Sequence, residues 1–285
     1  MTAEVFLPTT RISDLRRRKD KPLGSNIRAA YKENFAEYLL CLALDIGEGM
    51  LKNGAEVSRV EDTIERICHA YGAVHVEVFS IISVITASVR LSDGTASSQM
   101  RRVRQSGIDL TVLEKLNSLS REVCTNKPPL DELDERIHEI KSSVSYRWWV
   151  TLLSMLSICC GFTFFFGGTV KDGIVAAVIG AVISLFDIFP SKYINSLVKT
   201  LLSSLVITIM AGISIFLGIG DNSSVIIMGS IMPLVPGIAF GTAMRDLLLG
   251  DLASGSLKAL QSILQALMIA FAYIIAVSVL GGGVL

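Results

Sequence analysis

The chain has 285 residues with 26 basic and 26 acidic side chains, so its formal charge is zero and nothing in the balance points to a nucleic-acid partner. The charge is unevenly spread: from Trp148 to Leu285 only 10 of 138 positions carry one, against 42 in the first 147. A fold surrounded by water needs charged surface, which excludes a soluble second half and leaves a membrane-embedded one after an ordinary soluble domain.

Residues 1–26 read as a flexible basic arm, with "RRRKDK" (Arg16 to Lys21) between Pro8 and Pro22. Such a cluster is either a solvated tail or a segment touching anionic lipid headgroups. Polar residues interrupt the first eighteen positions before any apolar core, so no signal peptide is expected.

Residues 27–145 read as an α+β domain. Phe35, Leu39, Leu42, Ala43, Ile46 and Met50 recur on one face of a helix predicted over 28–51, and Asn53-Gly54 supplies its stop. Val57, Val60, Ile64, Ile67 and Tyr71 mark a second helix ending at Gly72. Strand-type runs follow, "AVHVEVFS", "ISVITASVRL" and "TASSQMRRV", with Asp93-Gly94 as a hairpin signal before the last. Two more helices are predicted around Leu110–Cys124 and Leu130–Lys141, separated by Pro128-Pro129.

This half offers no chemistry by motif. Its three histidines (His69, His75, His138) are scattered, and HExxH, GxSxG and a phosphate-binding glycine loop are all missing. The five cysteines (Cys41, Cys68, Cys124, Cys159, Cys160) lack metal or redox spacing and read as reduced thiols. No catalytic residues, no metal and no cofactor are therefore expected. In "GAEVSRVEDTIER", Glu56 and Arg59 stand at i,i+3 and Asp62 and Arg66 at i,i+4, the spacing of helix-face ion pairs contributing a few tenths of a kcal/mol each.

Residues 146–285 read as an all-α bundle of five transmembrane helices, about 147–168, 172–189, 195–219, 223–244 and 257–281. Trp148 and Trp149 beside Arg147 form an interfacial anchor. Lys192 and Lys199 lie near the second loop and Arg245 and Lys258 near the fourth. Those loops are then cytoplasmic with the first domain, and the C-terminus lies outside. Five is an odd number, and carriers built from two repeats would need the second from another copy or another chain.

The fourth span holds Pro233, Pro236 and Gly237 near mid-membrane. Proline lacks an N–H and crowds the carbonyl four residues back, and freed backbone groups in a bilayer cost several kcal/mol unless protein or water satisfies them. The break is either a cavity-lining interruption or a packing kink. Asp187, between Phe186 and Phe189 at a membrane edge, is a candidate coupling acid or an ion-pair partner of Lys192.

"GAEVSRVEDTIERICHAYG" with "VEVFSIISVITASV", then "RRVRQSGIDLTVLEKLNSLSREV" and "PLDELDERIHEI", resemble the cytosolic domain of the threonine/serine exporter family. "PLVPGIAFGTAMRDLLLGDLASG" is similar to that family's membrane signature, a P-x-x-P-G element and an R-D…G-D…S-G loop. The resemblance runs from about residue 30 to 280 and implies efflux of small polar metabolites (threonine, serine or, in a split branch, succinate) across the bacterial inner membrane. It also implies the larger subunit of a two-component system with a small all-helical membrane partner.

On that basis the expected substrate path comprises Ser230, Pro233, Pro236, Gly237, Thr242, Arg245, Asp246 and Asp251. Arg245 is the group expected to meet a substrate carboxylate. Glu56, Arg59 and Glu61, matching the family's "GxExxRVE" block, are expected to gate or assemble, and Asp187 to couple. The alternative is a membrane-anchored sensor or scaffold whose first domain binds a ligand or protein.

Overall fold

The structure, a computed structural model, describes residues 34–103, 107–142, 147–188 and 195–280. The basic arm, Lys192 and the last five residues lie outside the described residues.

Helix α1 (Phe35–Lys52) opens where the Asn34 side chain accepts from the Glu37 N–H, which satisfies one of the donors left over at a helix start. It is apolar nearly all round and becomes the axis of the first half. Leu39, Leu40, Leu44, Ile46 and Met50 are fully buried, each worth about 1.5–3 kcal/mol of transfer free energy. Around it pack α2 (Val57–Ala70), a sheet, α3 (Leu110–Asn126) and α4 (Leu130–Ser142).

The sheet is an antiparallel meander of β1 (Ala73–Ile81), β2 (Val84–Leu91) and β3 (Ala96–Arg102), with β2 in the centre. Val78 faces Ala87, which faces Gln99. Ile85, Ala87 and Val89 of β2 point inward at every second position, as a half-buried strand requires. The Asp93-Gly94 turn is where the sequence signal put it, with Gly94 at φ 86° and Asp93 Oδ1 accepting from the Thr95 N–H. Asp109 caps α3 through the N–H groups of Thr111 and Val112, and Lys127 at φ 48° ends it just before the two prolines.

The second half is helical throughout its described residues: α5 (Trp148–Phe165), α6 (Val170–Ile188), α7 (Ser196–Phe216), α8 (Ser223–Ile231), a short 3-10 turn (Met232–Leu234), α9 (Gly237–Leu248) and α10 (Leu252–Leu280). Helices α5, α7 and α10 are long and apolar enough to cross a membrane, and α8 with α9 makes a fourth candidate bent by 53°. Helix α6 has the length, but its three charged residues, Lys171, Asp172 and Asp187, near its ends set it apart from the candidate spans.

Two boundaries differ from expectation. The fourth segment runs on to Leu248 and the fifth starts at Leu252, because charge alone does not end a helix. Gly250 does: at φ 97° it closes a left-handed cap in which the Asp251 N–H donates to the Asp246 carbonyl.

Lipid supplies no hydrophobic drive between helices, so close backbone approach through small residues holds them together. A Cβ on Gly229 of α8 would sit 2.7 Å from the backbone nitrogen of Thr163 in α5, and one on Gly180 would sit 2.9 Å from the Met155 carbonyl oxygen. Gly229→Ala is expected to lower the unfolding midpoint in detergent, at a cost of about 1–3 kcal/mol from overpacking. Gly241→Ala, whose methyl meets nothing within 4 Å, is expected to leave the midpoint unchanged or raise it. Equal midpoints for the two variants would refute the clamp between α5 and α8.

Candidate functional site

The broken helix is the starting point. After Ile231 the chain tightens into the 3-10 turn, with the Val235 N–H on the Met232 carbonyl at 3.2 Å, and Pro236 then caps α9. The carbonyl of Leu234, inside the break, accepts from Gln265 Nε2 of α10 at 3.1 Å. A side chain of the neighbouring helix thus satisfies interrupted backbone, as an apolar surrounding demands.

Gln265 is one of four polar residues on a single face of α10. Lys258, Gln261, Ser262 and Gln265 follow the i, i+3, i+4, i+7 spacing and line a cavity of about 290 Å³. Ala239 and Thr242 of α9 form another wall, and the α1–α2 turn (Leu51, Gly54, Ala55) with Ile82 and Ile108 closes it from the first half. The cavity therefore sits at the junction of the two halves and extends along α10 toward the break.

Charged groups gather at this junction. Lys258 Nζ donates to Asp246 Oδ2 at 2.6 Å and to the carbonyl of Ala55, 203 positions away in sequence, at 3.3 Å. Asp246 is fully buried, and its other oxygen, Oδ1, has no partner among the described residues. Arg245 Nη1 meets Glu56 Oε1 at 2.8 Å, while Arg59 stands 4.0 Å from the other oxygen of Glu56. Glu61 accepts from the Ser80 N–H at 2.6 Å and from the Ser80 hydroxyl at 3.1 Å. Burial raises the Glu61 pKa above the usual carboxylate range and the Asp251 charge adds to it, with the Ser80 hydrogen bonds opposing.

The structure thus joins two motifs that the sequence keeps apart: the block around Glu56 and Glu61 lies against the last turn of α9, with Arg245 and Asp246, and Asp251 just beyond it. Of the expected path residues, Thr242 lines the cavity, and its hydroxyl donates back to the Ala239 carbonyl. Pro233, Pro236 and Gly237 form the break itself. Ser230 is fully buried in α8, and its hydroxyl has no partner among the described residues. Arg245 points to Glu56 rather than into the cavity wall, where the cation is Lys258. The side chain of Asp187 lies outside the described ones.

Sequence reasoning passed over Gln261 and Gln265, although two amides at one-turn spacing in an apolar helix are a legible signal. It also passed over Asp172, which is buried and accepts from the backbone N–H groups of Thr169, Asp221 and Asn222. Asp172 ties the α5–α6 loop to the start of α8, and the Thr169-x-x-Asp172 capping box announces it. Among the described residues no group of three or more His, Cys, Asp or Glu is placed to hold a metal ion. Burial pushes the Cys68 thiol up to about 12, so it is a packing residue rather than a nucleophile.

Apolar helices of spanning length, one broken beside a polar cavity, define a membrane protein of transport type. The chain belongs to the family described as "Putative threonine/serine exporter", whose model matches residues 41–280. It is similar to the "Probable succinate transporter subunit YjjP" of Escherichia coli (strain K12), with 24% identity over 75% of this chain and 84% of the relative. The protein of the same name from Klebsiella aerogenes is 23% identical over 72% and 80% of the two chains. No solved structure matches.

Two outcomes follow from the junction. Lys258→Met strands Asp246 as a buried charge and is expected to cost about 3–5 kcal/mol of unfolding free energy in detergent, much of it recovered in Lys258→Met/Asp246→Leu. Strictly additive losses would show that the two are not coupled. Glu61, its folded pKa raised, contributes stability that is fully present below its ordinary value and lost as pH rises through the folded value. Glu61→Gln is expected to flatten this fall, read as the midpoint across the mildly acidic range; an unchanged slope would assign the fall to another group.

Proposed function

We propose that the chain is a secondary exporter subunit carrying small polar metabolites, threonine and serine or a dicarboxylate such as succinate, across the bacterial inner membrane. In this reading residues 1–26 are a flexible arm, 27–145 a cytosolic domain and 146–285 a five-helix membrane unit, α6 being the fifth helix. The C-terminus faces outside, and a small all-helical membrane subunit of the same family supplies the other wall. The uncovered surface of α5 and α10 leaves room for lipid and for that partner, since only 11% and 17% of their apolar windows are buried. The family membership and the subunit names of the relatives support a non-enzymatic, multi-component transporter.

The observation that carries the reading is the junction cavity, with Lys258, Gln261 and Gln265 stepping toward the broken helix. In this reading Lys258 uses the donor left beyond Asp246 and Ala55 for a substrate carboxylate, and the free oxygen of Asp246 meets an ammonium or hydroxyl group. Arg245 sits at the cytosolic mouth, where a substrate carboxylate competes with Glu56 for its guanidinium. Glu56, Arg59 and Glu61 then act as the gate, Asp251 sets the charge beside Glu61, and Ser230 extends the polar path beyond the break. If transport is proton-coupled, the carrier is a boundary acid such as Asp187 or Asp246, or belongs to the partner.

Co-expression with the small partner followed by threonine and succinate efflux from loaded cells tests this. Pro233→Ala/Pro236→Ala and Gln265→Leu are each expected to slow efflux of the transported solute about tenfold, the equivalent of one lost hydrogen bond. Efflux equal with and without the pair of subunits would sink the exporter reading. Unimpaired efflux in both variants would sink the cavity and favour a sensor or scaffold.

A further inference from the structure

A second, larger cleft lies away from the junction, on the outer side of the first half between α2 and α3. Its volume is about 540 Å³, within the range of small-molecule sites. Arg59 and Arg66 enter it from α2 and Arg121 from α3, with Asp62 as the one carboxylate in the wall. Three guanidinium groups face one carboxylate in this lining, an excess of two positive charges within the wall itself. Like charges drawn together in this way repel unless an anion joins them.

The partners of the three arginines are unequal. Arg66 holds Asp62 at 2.7 Å. Arg121 donates to a neutral acceptor, the Ser118 hydroxyl, at 3.1 Å. Arg59 reaches Glu56 only at 4.0 Å, and the other oxygen of Glu56 is engaged by Arg245 at 2.8 Å. Two forks, Arg59 and Arg121, are therefore left with weak or neutral partners. The cleft wall also holds Thr63 and Ser120, both buried, which supplies hydroxyl groups beneath the arginines. The junction cavity is the opposite case: its cation, Lys258, is already neutralised by Asp246.

We propose that the α2–α3 cleft is a binding site for a small polar dianion, a dicarboxylate or a phosphate group, held by the guanidinium forks of Arg59 and Arg121 with Arg66 alongside. A fork accepts two oxygens of such a group at once, and the net charge of two selects a dianion over a zwitterion. Arg59 lies one helical turn from Glu56, so an anion that draws Arg59 away leaves Glu56 wholly to Arg245. Occupancy of the cleft then tightens the contact between α2 and α9. This last consequence rests on the junction being the transport path; the binding itself does not.

Cys124 lines the cleft and reports on it directly. The experiment uses the full chain in detergent at fixed ionic strength. Maleimide labelling of Cys124 is followed by mass spectrometry with inorganic phosphate, succinate or serine present. A saturating dianion is expected to slow Cys124 labelling about tenfold while serine leaves it unchanged and Cys160 labels as before. Which of phosphate and succinate protects identifies the chemical source, and protection by both supports a general dianion site. Arg59→Gln and Arg121→Gln are each expected to raise the half-protecting concentration about tenfold, and Asp62→Asn to lower it. Absence of protection by either dianion, or protection that survives Arg59→Gln/Arg121→Gln in a chain with the parent's unfolding midpoint, would each overturn the site.

Discussion

The buried pair of Lys258 and Asp246 is the constraint on which the rest of the junction depends. A carboxylate with no exposure has to be paired, because an isolated buried charge costs several kcal/mol even after relaxation. Asp246 lies near the end of α9 and Lys258 in the second turn of α10, so the pair fixes the angle at which the two helices leave the Gly250 turn. Lys258 then spends another donor on the Ala55 carbonyl, which locks the α1–α2 turn of the first half onto the same corner. One ammonium group thereby sets three backbones against one another. Two glycines serve the same geometry: Gly250 makes the left-handed turn, and a Cβ on Gly255, in the first turn of α10, would stand 2.8 Å from the Leu247 nitrogen.

With that corner fixed, the polar face of α10 is aimed. Residues three, four and seven positions beyond Lys258 must point the same way, which carries Gln261, Ser262 and Gln265 along the cavity to the break in the neighbouring helix. Gln265 connects the break in the neighbouring helix to the cavity. Here the amide donates to the Leu234 carbonyl and also lines the void.

Much of this was legible in the sequence, and the remainder was hidden for physical reasons. Periodicity located the helices around Leu39 and Ile64, alternation located the strands, and Asp93-Gly94 located their turn, because these depend on neighbours within a few residues. The break at Pro233 and Pro236 was legible for the same reason, since a missing N–H is a local fact. The partners of Arg245 and Lys258 were not. Ala55 and Glu56 lie at the far end of the chain, and a spacing of 203 positions carries no pattern that one sequence reveals. Glu56 and Arg59 look like a helix-face pair at i,i+3, yet the closer contact of Glu56 is to Arg245. Charge misled in one place: the boundary drawn at Arg245 assumed that a charged residue ends a span, whereas the helix continues until glycine permits the turn.

The two ion pairs at the junction differ in a way that assigns them different mechanical parts. Asp246 and Lys258 have side-chain exposures of 0% and 14%, so separating them means desolvated charge without a partner, a cost of about 3–5 kcal/mol. The Arg245 side chain is 58% exposed opposite Glu56 at 13%, and water and salt reduce such a contact to roughly 0.2–1 kcal/mol. That is within reach of thermal exchange or of a competing carboxylate, whereas the buried pair is not. The buried pair joins α9 to α10, both in the second half, and the first half meets that corner through the Ala55 carbonyl and the exposed contact of Arg245 with Glu56. Glu61 lies on the same helix as Glu56, and its raised pKa follows from burial beside Asp251.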